Sequence, residues 1–430
     1  MSSRRLSLLV RAILPAALLL AAALFAGGCG GVGVSSAGMV SGDHLTIYSS
    51  LPLEGALAPV SRQIVDGEKL ALAQTGGRVH RFHVYYASLN DANPKTGEWA
   101  PGETANNAKY AAQDSTTIAY LGDFNSEATA ISLPFVNAAG ILQVSPASPY
   151  VGLTSSLHAG QDEPERFYQT GKRTFARLMP ADPVQAAAQV RLMQKLAVKR
   201  VYVIEDQDPF DLPLAAIVAE DAKRAGIEVV GEGTIDTTAS TEYTEETKKV
   251  SESGAQAVFF SGQPGAGAVA LWQELHAASP SLRLLGSSSL SESALPSSGA
   301  PASAASFASQ LGAAAGVSYL ASAVLPSALY PPAAQAVLAQ YRARFHEAGG
   351  PYALDGYEAM SAVLLAIRRA GARGNDRQAV IDKFFAIRDR DSVLGRYSVQ
   401  ASGDTTLSRY GVDRVSGDGR LVFYRAFEGP

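Results

Sequence analysis

The chain has 430 residues, too many for one compact core, with 47% hydrophobic and 18% charged residues and a net charge of −4. That balance describes a globular body. It argues against a nucleic-acid surface, because no cluster of Lys and Arg is available to follow phosphates. Cys29 is the only cysteine, so the body holds no disulfide and depends on an ordinary large core.

The N-terminus carries Arg4, Arg5 and Arg11, an uncharged run from Ala12 to Ala26, and then Gly27-Gly28-Cys29. This is the layout of a secretory signal peptide with small residues before the cleavage point. A cysteine directly after small residues resembles the lipobox of bacterial lipoproteins, although Ala26 stands where a leucine is usual. The expectation is a signal peptide with lipobox over 1–29, lipidation of Cys29, and a flexible Gly/Ser/Val-rich tether over 30–43. An ordinary signal peptide or an uncleaved anchor is the alternative. The lipidated form would be exported and held on the extracytoplasmic face of the cell membrane through its N-terminal lipid.

From Leu45 onward, apolar strand-like runs alternate with helical spacing. Strands are predicted over 45–50, 81–87, 117–121 and 141–144, with helices over 59–74, 103–113 and 126–138. The pattern restarts with helices over 183–196, 212–225, 242–253 and 267–278 and strands over 200–204, 228–231, 257–261 and 282–285. Short apolar strands joined by helices imply parallel sheets covered on both faces and right-handed, doubly wound crossovers. Two such runs, meeting near Met179, imply two similar α/β lobes. Ser287 to Ala315 reads as a long Ser/Ala-rich loop with one weak helix beside a lobe junction. The tail predicts helices over 331–348, 355–370 and 376–387, the last with Asn375 as N-cap. Short strands over 396–399, 410–415 and 421–426 follow, the last two joined by a Gly417-Asp418-Gly419 turn.

Open α/β sheets take ligands at the carboxyl ends of their strands. Gly122-Asp123-Phe124-Asn125-Ser126 joins a strand to a helix, where backbone N–H groups and the Ser126 hydroxyl could hold an anion; a plain helix cap is the competing account of Ser126. Ser145 to Tyr150 offers hydroxyls, carbonyls and a ring. Glu205 to Asp211 reads as a solvated acidic loop in which Phe210 makes a cleft wall, and its spacing does not suit a calcium loop. Gly265 to Ala270 matches G-x-G-x-x-A, but the next strand tip carries Gly286-Ser287-Ser288-Ser289 in place of the ribose-binding acid, so it reads as a strand-to-helix turn. There is no G-x-S-x-G elbow, and the histidines are scattered, with His80 and His83 on opposite faces of a strand. No metal and no cofactor is expected.

Taken in order, these pieces resemble the leucine/isoleucine/valine-binding family of type I periplasmic binding proteins, receptors of branched-chain amino-acid ABC transporters. The likeness runs from about Leu45 to the C-terminus. It is carried by Leu51-Pro52-Leu53-Glu54-Gly55 with Asp66-Gly67, Asn93-Pro94-Lys95, Gly122 to Ser126, Ser145-Pro146-Ala147, Gly350-Pro351-Tyr352 with Tyr357-Glu358-Ala359, and Ala401 to Asp404. The resemblance implies a Venus-flytrap clamp: two Rossmann-like doubly wound lobes joined by a three-crossing hinge. It divides the chain into 44–178 with 321–408 and 179–320 with 409–430. It implies that Ser126, beside Asn125, holds a ligand carboxylate. Ser148 or a neighbour such as Ala147 would bind the ligand's polar end, and Phe210 would supply an aromatic wall from the second lobe. Where amino-acid binders place an ammonium-pairing acid this sequence has Ser288, and a second aromatic is replaced by Gln263 or Pro264. A buried ammonium then needs Asp206, Asp208 or Glu358 to turn in. The expected function is a membrane-tethered receptor passing a small polar solute, an amino acid, amide or related compound, to ABC permease subunits, without catalysis. A lipid-anchored enzyme on a Rossmann-like scaffold and a sensor for a membrane signalling partner are the alternatives.

Overall fold

The computed structural model describes residues 38–238, 242–292 and 306–429. The leader and Cys29 lie outside the described residues. Part of the expected tether does not: Val40 is fully buried, donates to the Asn375 carbonyl at 2.8 Å and accepts from Asn375 Nδ2 at 2.7 Å. The ordered fold therefore begins before residue 44.

The first sheet is built from β1 (His44–Leu51), β2 (Arg78–Val79), β3 (Phe82–Asn90), β4 (Thr117–Gly122), β5 (Leu142–Ser145) and β6 (Phe175–Arg177), in the order β2-β3-β1-β4-β5-β6. All pairs are parallel except the small β2–β3 hairpin. Helices α1 (Ala58–Gln74), α2 (Pro101–Gln113) and α3 (Ser126–Ala138) connect its strands. The chain then enters α4 (Asp182–Lys195) and the second unit: β7 (Arg200–Glu205), α5 (Leu212–Arg224), β8 (Glu228–Thr234), α6 (Thr244–Ser253), β9 (Ala257–Ser261), α7 (Ala266–Ala278), β10 (Arg283–Gly286), α8 (Ser289–Glu292) and β11 (Ser318–Ser322). It returns through α9 (Pro332–Phe345), α10 (Pro351–Ala370), α11 (Arg377–Phe385) and a ribbon of β12 (Arg390–Asp391) with β13 (Arg396–Tyr397). Last come β14 (Arg409–Val415) and β15 (Leu421–Glu428), which complete a second sheet ordered β15-β14-β11-β10-β9-β7-β8.

The strand sequences explain the sheets. Every residue of β4 (TIAYLG), β9 (AVFFS) and β11 (SYLAS) is buried, as parallel strands covered on both faces require. Helix α1 crosses α10 backbone to backbone: a Cβ on Gly67 would stand 2.1 Å from the Ala353 carbonyl, and one on Gly356 would stand 2.1 Å from that of Ile64. Glycine is required at both positions for this close approach. The chain passes between the sheets three times, after β6, after β11 and before β14, which is the three-crossing clamp.

Four expectations need correction. The division at 320/321 cuts through β11, whose Ser322 is still paired with Gly411 of the second sheet, so the chain leaves that sheet after Ser322. Asn375 does not cap α11; its amide is spent on Val40, and Asp376 accepts from Ala379 N–H instead. Within the Ser/Ala-rich segment a short helix does stand at Ser289–Glu292 and residues 293–305 lie outside the described residues, but 306–317 is packed and not open loop. It coils in short 3-10 turns and buries Phe307, Leu311 and Ala315 against Trp272. The Glu205 to Asp211 loop is folded rather than solvated, with Asp211 only 5% exposed.

Candidate functional site

In both sheets the strand order reverses beside the first parallel strand, at β1/β4 and β7/β9, which places a crevice at their carboxyl ends. The loops after β4, β5, β7, β9 and β10 meet there around a cavity of about 60 Å³. Asn125, Ser126 and Ala147 line it from one side and Phe210, Gln263 and Ser288 from the other. Ser148 does not: its hydroxyl is turned toward the β4–α3 segment, 2.7 Å from Thr129 Oγ1 and 3.1 Å from the Asp123 carbonyl. Its neighbours Pro149 and Tyr150 line the cavity instead. Across the cleft the Tyr150 and Phe210 rings meet edge to face, centroids 4.8 Å apart.

Ser126 is the first residue of α3 and makes no side-chain cap; its Oγ accepts from Tyr150 N–H at 3.3 Å, which ties the β4 loop to the β5 loop. The Asn125 Oδ1 is buried without a hydrogen-bond partner among the described residues. Gln263 Nε2 donates to Asp211 Oδ2 at 2.7 Å, and Ser288 N–H donates to Gln185 Oε1 at 2.7 Å.

Three carboxyls line the same cavity: Glu127, Asp182 and Asp211. None of Asp206, Asp208 and Glu358 does. Asp206 and Asp208 fold their own loop through the N–H groups of Gln263, Asp208 and Phe210, and Glu358 is paired with Arg390 and Tyr397. Burial pushes Glu127 up to about 7, although its own backbone N–H pulls the other way. Burial also pushes Asp182 up to about 7 against the opposing charge of Arg177. Asp211 is raised well above the carboxylate range by burial and by the charges of Asp206, Asp208 and Glu127. Among the described residues no Lys, Arg or His lines the cavity, although Arg166 lines the adjoining groove with Glu127 and Phe210.

Glu127 and Asp182 escaped sequence reasoning. Glu127 directly follows the singled-out Ser126. Asp182 follows a strand of only three residues that carries no periodicity. Behind the cavity, fully buried Arg177 donates to the carbonyls of Ser148 and Tyr150 (2.8 Å each) and pairs with Asp404 at 2.8 Å. The Asp404 turn fits because Gly403 has φ of +102° and a Cβ there would stand 2.1 Å from the Phe175 carbonyl. Among the described residues no cluster could hold a metal ion, and no helix is long and apolar enough to cross a membrane.

Further carboxyls are buried beneath the strand ends. Burial raises Asp91 and Asp123, the Asp123 charge raising Asp91 further, and burial pushes Glu68 up to about 8. These groups keep protons in the folded state that the unfolded chain releases at about pH 4. Stability is therefore full below that pH and falls as pH rises toward about 8. A melting temperature several degrees higher at about pH 5 than at about pH 8 is expected by calorimetry. A melting temperature that climbs between those values would contradict it.

Comparison with known proteins agrees with this architecture. Leucine-binding protein LivK of Thermotoga maritima is 17% identical with a TM-score of 0.69, over 89% of this chain and 99% of that one. LivJ of Streptococcus pneumoniae, solved with isoleucine, is 18% identical with a TM-score of 0.64, over 89% and 100%. A solute-binding protein of an ABC transporter from Rhodopseudomonas palustris, solved with p-hydroxybenzoic acid, is 13% identical with a TM-score of 0.68, over 90% and 98%. A search of curated proteins finds no match. Such identities establish the shared fold. The sequence profile of the periplasmic binding proteins matches residues 47–419, most of the chain and both sheets, and the chain belongs to that family.

Proposed function

We propose that the protein is the extracytoplasmic solute receptor of an ABC importer, with lobes of 44–178 with 323–408 and 179–322 with 409–430 closing on a small polar solute. The relatives from Streptococcus pneumoniae and Rhodopseudomonas palustris, substrate- and solute-binding proteins of transporters, support that role. Their ligands span an aliphatic amino acid and an aromatic acid, so the ligand class must come from the site. Lipidation of Cys29 would keep the receptor beside the permease subunits that read its closed form.

One observation carries the ligand reading: Glu127, Asp182 and Asp211 converge on a cavity lined by no cation among the described residues. Asn125 Oδ1 adds a free acceptor. At the N-terminus of α3 the Glu127 carboxyl lies beside Ser126, where a ligand carboxylate would meet a like charge once Glu127 ionises. The fitting solute is rich in donors and positively charged, such as an ammonium or amidinium compound, with or without a carboxylate of its own. At about 60 Å³ the cavity is below the usual ligand pocket of roughly 300 Å³. The lobes therefore stand drawn together, and entry requires them to part.

A fluorescence titration with amino acids, amines, small amides, plain carboxylates and sugars tests this. Trp99 shares a surface groove with Glu127 and Phe210 and serves as the reporter. Saturable responses at about micromolar concentration are expected from cationic members of the panel. Binding of plain carboxylates that survives Glu127→Gln, or no saturable response to any class, would refute the reading.

A further inference from the structure

The hinge carries a half-open groove of about 370 Å³, larger than the cavity of the cleft and lined by different residues. All three crossings contribute to its lining, through Leu178 and Met179, Leu325 and Tyr330, and Leu407 and Arg409. Its floor is Asp355, in the second turn of α10. Asp355 is 5% exposed, and its Oδ2 has no hydrogen-bond partner among the described residues. Burial alone raises its pKa.

The other polar groups of the lining are already engaged. Tyr330 Oη accepts from Leu325 N–H at 3.1 Å. Arg409 donates to the Leu329 carbonyl at 3.0 Å and stands 3.4 Å from Glu428, and Arg396 faces Asp389 at 3.6 Å. Among these groups Asp355 is thus the one whose burial nothing offsets, at the foot of a groove walled by Leu178, Met179, Leu325 and Leu407 and rimmed by Arg396, Arg409 and Glu428. An unpaired buried carboxyl is costly, and a partner that supplies N–H donors and fills the apolar space removes the cost.

We propose that this hinge groove is a second small-molecule site, taking a compact apolar primary amine with its nitrogen on Asp355. Because the crossings carry the lobe motion, an occupant that fits one arrangement better changes solute affinity in the cleft, and solute changes the occupant's affinity by the same factor. That coupling rests on the receptor reading; binding at the hinge does not.

Thermal-shift and calorimetric titrations of the full chain with 2-phenylethylamine test it, with phenylacetate and 2-phenylethanol as matched controls. The amine is expected to raise the melting temperature, and phenylacetate is not. Asp355→Asn should weaken the amine at least about tenfold, whereas the cleft variant Asp211→Asn should retain it. If Asp355→Asn does not fold, Leu407→Trp, which fills the groove and leaves the carboxyl in place, should abolish amine binding. Equal protection by amine and acid, unchanged affinity in the folded hinge variants, or no protection at all would overturn the proposal. So would loss of binding in Asp211→Asn alone, which would place the amine in the cleft and leave the receptor reading standing.

Discussion

Arg177→Met is expected to cost about 3–5 kcal/mol of folding stability, the range for stripping one partner from a buried ion pair. The guanidinium is fully buried and serves four groups at once: Asp404, the carbonyls of Ser148 and Tyr150, and Thr154 Oγ1. A methionine fills much of the volume but takes a donor from the Ser148 and Tyr150 carbonyls and leaves Asp404, still held by the Thr154 and Ser402 hydroxyls, without a countercharge. The loss reaches the cleft, because Arg177 holds the loop on which Tyr150 and Ala147 line the cavity. Urea denaturation should show a lower midpoint with an unchanged slope, together with weaker solute binding. Adding Asp404→Leu should recover part of the stability by removing the stranded charge. A loss below about 1 kcal/mol would show that water replaces the guanidinium without difficulty.

Solute affinity should rise with pH. Glu127 and Asp182, both pushed up to about 7, and Asp211, raised further, hold protons in the empty cleft. A cationic solute needs them ionised, so binding expels those protons. It is penalised below about pH 7 and favoured above it. Each proton displaced contributes about tenfold per pH unit over that window, so Kd should fall about 10- to 100-fold between about pH 5.5 and pH 8. Calorimetric heats should vary with the ionisation enthalpy of the buffer. Asp211→Asn should weaken binding by about 100-fold, the cost of losing a buried charge partner, without destabilising the empty protein. A carboxylate-led solute predicts the opposite slope, so affinity that is flat or that strengthens toward acid would refute the cationic reading. The carboxyls beneath the strand ends, Asp91, Asp123 and Glu68, make the fold most stable at low pH, while those of the cleft make it bind best at high pH.

Most strands and helices were legible because buried parallel strands read as unbroken apolar runs, such as Ala257 to Ser261, between helices of regular spacing. Strands β6 and β11 were not. One is three residues ending in arginine, and the other is half serine and alanine; both are specified by their neighbours in the sheet. The membership of β14 and β15 was read only through the family resemblance, which placed 409–430 with the second lobe, since nothing local in them names the sheet they join. Candidate residues at the strand ends do gather around one cavity, because topology brings those ends together. Ser148 does not, since a hydroxyl's direction depends on Thr129 and Asp123 across the loop. Two carboxyls of the cleft, Glu127 and Asp182, were overlooked for a related reason. An aspartate such as Asp182 looks like an ordinary helix start until burial and the distance to a cation are known.

Strands β14 and β15 come last in the chain yet close a sheet begun at Arg200. Until residues 409–428 arrive, the edge of β11, a strand buried along its whole length in the finished protein, lies open. A polypeptide delivered N-terminus first, from a ribosome or through a translocase, can assemble its first sheet early but must keep the second incomplete until synthesis or passage is nearly over. That delay favours a slow-folding, chaperone-held precursor.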